Sequence, residues 1–157
     1  MDATKMYHYT ECGLSHVYLL NGHHEESSDY GVVTSISNIA GLHDAIGKTI
    51  VNKTTEPLSG DEVRFLRKEI DLSQKNLGAL LGVEDQTVAR WEKGTVMIPR
   101  AADILLRGLY MEAKFNACNL SKLVNSLGQW EAKQTMQRLE MQELENTQWV
   151  VAENQTA

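Results

Sequence analysis

One short run carries polar side chains whose types and spacing suit chemistry on a nucleic acid. Gln86, Arg90 and Lys93 recur at i, i+4 and i+7, with Thr87 beside Gln86. On a helix those positions share a face. Arg can bond guanine O6 and N7 together, and Gln can do the same with adenine N6 and N7. Lys93 adds a cation for a phosphate. Val88 and Trp91, three apart, fall on another face and are expected to hold the helix inward. A second cluster, Ser73, Gln74 and Lys75, opens a preceding helix, where N–H groups and the helix dipole favour a phosphate. Arg100, further on, is expected to hold the nucleic-acid backbone as well. Such a face alone is also what an ordinary solvated helix presents, so the elements around it have to decide.

Those elements are well marked. Ser59 and Glu62 form an S-x-x-E capping box, which starts a helix near Gly60. Val63, Leu66 and Ile70 give it a buried stripe at i, i+3 and i+7. Ser73 caps the next helix, with Leu72 and Leu77 at the two ends of a hydrophobic staple. Leu77, Leu80 and Leu81 are its expected core face. Gly82 ends it, because a left-handed position favours a residue without Cβ. A third helix, carrying the polar face, is expected from Asp85 to Lys93, and Gly94 stops it. Pro99 suits the first turn of a fourth, whose stripe is read as Ala102, Leu105, Leu106 and Leu109.

With these residues in register, the run LSQ, then Leu77, then LLGV, then TVARWEKG resembles the XRE or Cro/repressor helix-turn-helix family. The usual form there is L-S-Q-x-x-L-A-x-x-L-G-V-x-x-x-T-V-x-x-W-E-x-G. Two positions depart from it. Gly78 stands where Ala is usual, at a cost of about 1 kcal/mol in helix propensity, though it can let two helices approach closely. Glu84 stands where a better N-cap is common, so Asp85 is a candidate cap instead. The resemblance implies a lambda-repressor-like all-α domain. It also implies base contacts from Gln86, Thr87 and Arg90, with Ser73, Gln74 and Lys93 on phosphate. The expected partner is double-stranded operator DNA, bound by a homodimer that represses transcription.

The charge of the chain looks unhelpful until it is divided. The formal net charge over 157 residues is −6. Residues 1–57 hold 3 basic and 7 acidic side chains, residues 58–115 hold 9 and 9, and residues 116–157 hold 3 and 5. Any DNA contact must therefore come from a local basic face rather than from the overall charge. Cys12 and Cys118 lie far apart without a motif, which excludes a disulfide scaffold and fits a reduced, cytoplasmic setting. No run of about 18 apolar residues predicts a membrane span. The opening MDATKMYHYTEC lacks the order of a signal peptide.

In residues 1–57, Tyr7, Tyr9, Val17, Tyr18 and Leu19 are strand formers, and Gly13 between them predicts a hairpin. HHEESSD reads as a loop, and Tyr30 to Ile36 as a third strand. Ser37 is expected to cap a helix with Ile39, Leu42, Ile46 and Ile50 inward. Asn52 to Pro57 reads as a short linker. His8, His16, His23, His24 and His43, with Cys12, raise the question of a metal. There is no C-x-x-C pair, and no paired histidines with cysteines at finger spacing. The reading is therefore of surface or half-buried histidines, no metal and no cofactor. Nor does Cys12 with His8 or His16 have an orienting third group or an oxyanion donor, so no catalytic residues are assigned and no enzyme is expected.

A sheet-and-helix module ahead of an XRE helix-turn-helix is also similar to MqsA-type antitoxins, although the two C-x-x-C pairs of their zinc module are absent. That resemblance implies self-repression of an operon and a toxin protein as a further partner. The alternative is a module that binds and neutralises a basic partner without a DNA role.

In residues 116–157, Leu120, Leu123, Val124 and Leu127 predict a short amphipathic helix capped by Asn119. It packs either on the core or against a second copy. Beyond it, Leu139 and Met141 alternate, Glu145-Asn146-Thr147 suits a turn, and Trp149, Val150 and Val151 favour a strand, so a hairpin is preferred to a helix. Trp149 is open to two roles, an interface anchor or a core residue. The expected fold is thus α+β: a small sheet-and-helix module over 1–57, a helix-turn-helix domain over 58–115, and a C-terminal helix with a candidate hairpin over 116–157.

Overall fold

The computed structural model describes residues 5–53, 55–117 and 138–152. The fold is α+β, and the chain divides into two compact units, Met1–Ile46 with Met136–Ala157, and Gly47–Thr135.

In the first unit, strands β1 (Tyr7–His8) and β2 (Val17–Leu19) form the expected antiparallel hairpin, with Tyr7 opposite Leu19. The C-terminal hairpin is present too. β5 (Leu139–Glu143) and β6 (Trp149–Val151) run antiparallel, and the Thr147 N–H donates to Leu144 O at 2.9 Å in the turn between them. This hairpin is not a free appendage. β5 lies parallel beside β2, with Val17 opposite Leu139, giving a sheet in the order β1-β2-β5-β6. Val17, Leu19 and Met141 are completely buried, together with Tyr9, Leu14, Leu42 and Ile46. Trp149 takes the core role of the two left open. It is 4% exposed, and its indole N–H donates to Ser37 O at 3.1 Å. A Cβ at Gly22 would lie 2.5 Å from the Trp149 ring, so only glycine lets the ring lie over that turn.

HHEESSD departs from expectation. It is not a loop but strand β3 (His23–Ser28), paired antiparallel with β4 (Gly31–Ile36) in a two-stranded sheet of their own. Glu25, Glu26 and Ser27 face Thr34, Val33 and Val32, so a β-branched partner carries a strand with little propensity of its own. At the base, the Tyr7 ring stacks on His23 at 5.5 Å, and His23 Nε2 lies 3.0 Å from Lys5 O. Helix α1 (Ile39–Asn52) follows, and the division between the two units falls within it. Its start is held by Asn38 rather than Ser37: Asn38 Oδ1 accepts the Gly41 N–H at 3.2 Å, and Asn38 Nδ2 donates to Thr147 O at 2.7 Å. Ile39 is exposed, so the inward stripe begins at Leu42 and continues through Ile46 and Ile50.

The second unit is helical. α2 (Gly60–Glu69) begins with the predicted capping box: Ser59 Oγ accepts the Glu62 N–H at 3.2 Å, and Glu62 Oε1 accepts the Ser59 N–H at 2.9 Å. Val63 and Leu66 are completely buried, whereas Ile70 is half-buried. α3 (Gln74–Leu81) is capped by Ser73, whose Oγ accepts the Asn76 N–H at 3.0 Å, and it ends at Gly82, φ +73. α4 (Asp85–Glu92) is followed by Gly94, φ +74. α5 (Arg100–Phe115) starts after Pro99. Two leucines miss the core. Leu80 is 59% exposed, because this eight-residue helix buries only Leu77 and Gly78. Leu105 is 44% exposed, because the buried stripe of α5 is Asp103, Leu106, Arg107 and Tyr110, one position on from the stripe read from apolar residues. The rotation is possible because Asp103 and Arg107 pair with each other, Nε to Oδ1 at 2.6 Å.

The same arginine fixes the stretch expected as a linker. Arg107 Nη1 donates to Val51 O at 3.1 Å and to Lys53 O at 2.5 Å, and Nη2 donates to Glu56 O at 2.9 Å. Asp103 Oδ2 accepts the Leu58 N–H at 2.8 Å. The end of α1 and the approach to α2 are thus bonded to one buried ion pair. No helix among the described residues is long and apolar enough to cross a membrane. The helix expected from Asn119 to Leu127, and Cys118, lie outside the described residues.

Candidate nucleic-acid interface

The polar face of α4 stands outward because its other face is locked. Val88 is completely buried and Trp91 is 3% exposed, while Gln86, Arg90 and Lys93 are exposed and Thr87 is half-buried. Glu84 occupies the N-cap position without a side-chain hydrogen bond, and Asp85 Oδ1 accepts the Gln86 N–H at 2.8 Å. The acidic residue of the first turn faces the positive end of the helix dipole.

Gly78 is what lets the preceding turn come so close. A Cβ there would lie 2.6 Å from Val83 O, the carbonyl of the turn into α4. The residue that departs from the usual pattern therefore sets the approach of α3 to the start of α4. Gly60 does the same at the other end, where a Cβ would lie 2.6 Å from Trp91 O.

Glu92, the last residue of α4, is 3% exposed and carries a buried charge network. Arg67 of α2 makes a bidentate pair with it, Nε on Oε1 and Nη2 on Oε2 at 3.2 Å. Arg64 Nε lies 3.5 Å from Oε2, and Gln74 Nε2 donates to Oε2 at 2.8 Å. Arg67 Nη1 also donates to Leu72 O at 2.8 Å, ahead of the Ser73 cap. Burial alone would push the Glu92 carboxyl up. The hydrogen bonds from Arg67 and Gln74, with the charges of Arg67 and Arg64, outweigh it and hold Glu92 below the ordinary carboxylate range.

The residues singled out in the sequence fall into three places. Gln86, Thr87, Arg90 and Lys93 share α4 or its end. Ser73, Gln74 and Lys75 lie at the start of α3, and the Gln74–Glu92 bond ties that start to the end of α4 beside Lys93. Arg100 opens α5, after the loop that follows Gly94, and is exposed. Gln74 is half-buried and its amide nitrogen is committed to Glu92, while Lys75 is exposed. The Arg67–Glu92 pair was missed, although its signal was present: each lies four residues past a core position, Val63 and Val88, and so on a buried face.

Residues 63–105, from α2 into α5, match a family model described as helix-turn-helix. The chain carries an XRE-type helix-turn-helix domain. No curated protein and no solved structure matches the chain. Within the helix-turn-helix domain, α3 and α4 are the two helices that give the motif its name. That family is a DNA-binding, regulatory one, and the match over residues 63–105 supports a DNA-binding regulator. A hollow of ≈ 320 Å³ in the same domain, lined by Leu58, Gly60, Trp91, Gly94, Val96, Met97 and Ile98, presents no titratable side chain. Among the described residues no group of three or more His, Cys, Asp or Glu side chains is placed to hold a metal ion.

Proposed function

We propose that this protein is a sequence-specific repressor that binds duplex DNA as a homodimer and acts on its own operon. The observation that carries the reading is the exposed Gln86–Arg90–Lys93 face on a helix whose opposite side is fixed by Val88, Trp91 and Glu92. Arg90 and Gln86 read base edges, with Thr87 beside them. Ser73, Lys75, Lys93 and Arg100 hold the phosphate backbone, and Gln74, whose side-chain amide is given to Glu92, joins them through its main-chain N–H at the start of α3. Two copies related by a two-fold axis enter successive major grooves about 34 Å apart, and a dimer seated over a promoter excludes polymerase.

Selection of duplexes from a random pool, with the parent protein and Arg90→Ala in parallel, tests this. The expected result is a two-half-site motif whose specificity relaxes at one base pair per half-site in the variant, with a loss of about 1–3 kcal/mol. Lys93→Ala should weaken all sequences alike and lower the salt slope by about 1. An Arg90→Ala protein that keeps the parent's motif and affinity would remove the assignment of the reading face.

A second reading is supported by charge. The described residues of the first unit, 5–46 and 138–152, hold 2 basic and 8 acidic side chains. An acidic module suits a basic partner, as in an antitoxin that also holds a toxin protein, or a binding module without a DNA role. Co-expression with a small basic neighbour from the same operon, followed by co-purification, would favour it. Duplex binding absent even at low salt would favour the version without DNA.

A further inference from the structure

From the two edges of the β3–β4 hairpin we infer that the outer edge of β4, Gly31–Ile36, pairs antiparallel with the same strand of a second copy. This rests on the two-copy reading above and gives it a location in the first unit.

The hairpin is incomplete as it stands. It forms a two-stranded sheet separate from β1-β2-β5-β6, and most of its residues are exposed. Val32 is 67% and Val33 56% exposed, and they point to opposite faces. Two strands alone are marginal in water, and three or more with an apolar face are the usual minimum. Each strand also has one edge whose outward N–H and C=O groups meet no other strand among the described residues. Natural proteins blunt such edges with charge, Lys or Pro.

The two edges are not alike, and the difference selects the occupant. β3 carries Glu25 and Glu26. β4 reads GVVTSI, with no charged residue and no proline, and three of its six residues are Val or Thr. A two-fold contact brings a patch against itself. Self-pairing through β3 would set carboxylates of two copies roughly 5 Å apart. Self-pairing through β4 sets only uncharged residues together, four of the six in each strand β-branched, in the order β3-β4-β4-β3. The two acidic strands are then three strand spacings apart, roughly 14 Å. That exceeds the screening length of about 8 Å at physiological salt. The resulting four-stranded sheet places a Val from each copy on both faces.

The test is sedimentation equilibrium of the full chain without DNA, for the parent, Val33→Lys and Glu26→Lys. Val33 is exposed, so the lysine is compatible with a folded monomer. Glu26 lies opposite Val33 on the outer strand and serves as the control. The expected result is a reversible dimer that weakens at least about tenfold in Val33→Lys and not in Glu26→Lys. In the parent, hydrogen-exchange protection of the β4 amides should rise with protein concentration. A dimer equally strong in Val33→Lys, with β4 amides unprotected at every concentration, would overturn the location and leave the two-copy reading standing. A parent chain that stays monomeric both free and on its selected DNA would overturn both.

Discussion

At Glu92, burial and pairing pull in opposite directions, and the three side chains around it settle the outcome. Its carboxyl lies below the ordinary range, so the charged form stabilises the folded state above the unfolded-chain value and that contribution is lost as acid protonates it. Asp103 has the opposite sign. Burial pushes it up despite the Arg107 charge and the Leu58 N–H, so its contribution is fully present below the ordinary carboxylate value and is lost as pH rises through the raised value of the folded state. Glu92→Gln should therefore melt below the parent at about pH 7, and the gap should narrow towards about pH 3; a gap that stays constant would detach the effect from this carboxylate. Gly78 gives a second forecast. Alanine there gains about 1 kcal/mol of helix propensity, but its methyl meets Val83 O at 2.6 Å, a backbone atom that moves only with the turn. We expect Gly78→Ala to lower the urea midpoint, and a raised midpoint would show that the turn relaxes at little cost.

Elements were legible where the signal is local. Ser59 with Glu62, the Ser73 cap, and the glycines at positions 82 and 94 punctuate the helices as their chemistry requires. What local patterns cannot carry is a partner distant in the chain. The parallel pairing of Val17 with Leu139 spans most of the sequence, and HHEESSD becomes a strand only because β4 lies beside it. Apolar periodicity also fails where charges are buried in pairs: it set Leu105 inward and left out Asp103 and Arg107. Of the interface, the outward face of α4 was readable from spacing, whereas the Glu92 network that commits Gln74 inward was not. The Asn52–Pro57 stretch has a linker's composition, yet two of its carbonyls, those of Lys53 and Glu56, and that of Val51 just before it are bonded to Arg107. Trypsin should cut after Lys53 far more slowly in the parent than in Arg107→Met, followed by mass spectrometry of the fragments. That substitution should also cost about 3–5 kcal/mol in unfolding, because it leaves Asp103 buried without its partner. Equal cleavage would mean the three carbonyl bonds do not restrain the segment.

For the molecule as a whole, charge is sorted by unit. The described part of the first unit carries most of the excess acid, with 2 basic against 8 acidic side chains. Residues 47–53 and 55–117 of the second hold 11 basic and 10 acidic. On the proposed reading, DNA affinity draws on a few exposed cations of the helix-turn-helix domain, and steep weakening with salt is expected. The acid on β3 has a consequence for how far assembly can proceed. A sheet that recruits a copy through one edge still has another edge to offer, and open-ended addition makes filaments. Glu25 and Glu26 line that remaining edge in both copies, so each added chain would meet like charge at a single strand spacing. In the β4 pairing inferred above, they act as a terminator that ends growth at two chains. Neutralising both, as Glu25→Gln with Glu26→Gln, should let light scattering rise with concentration well past the size of a dimer, while the parent stops there.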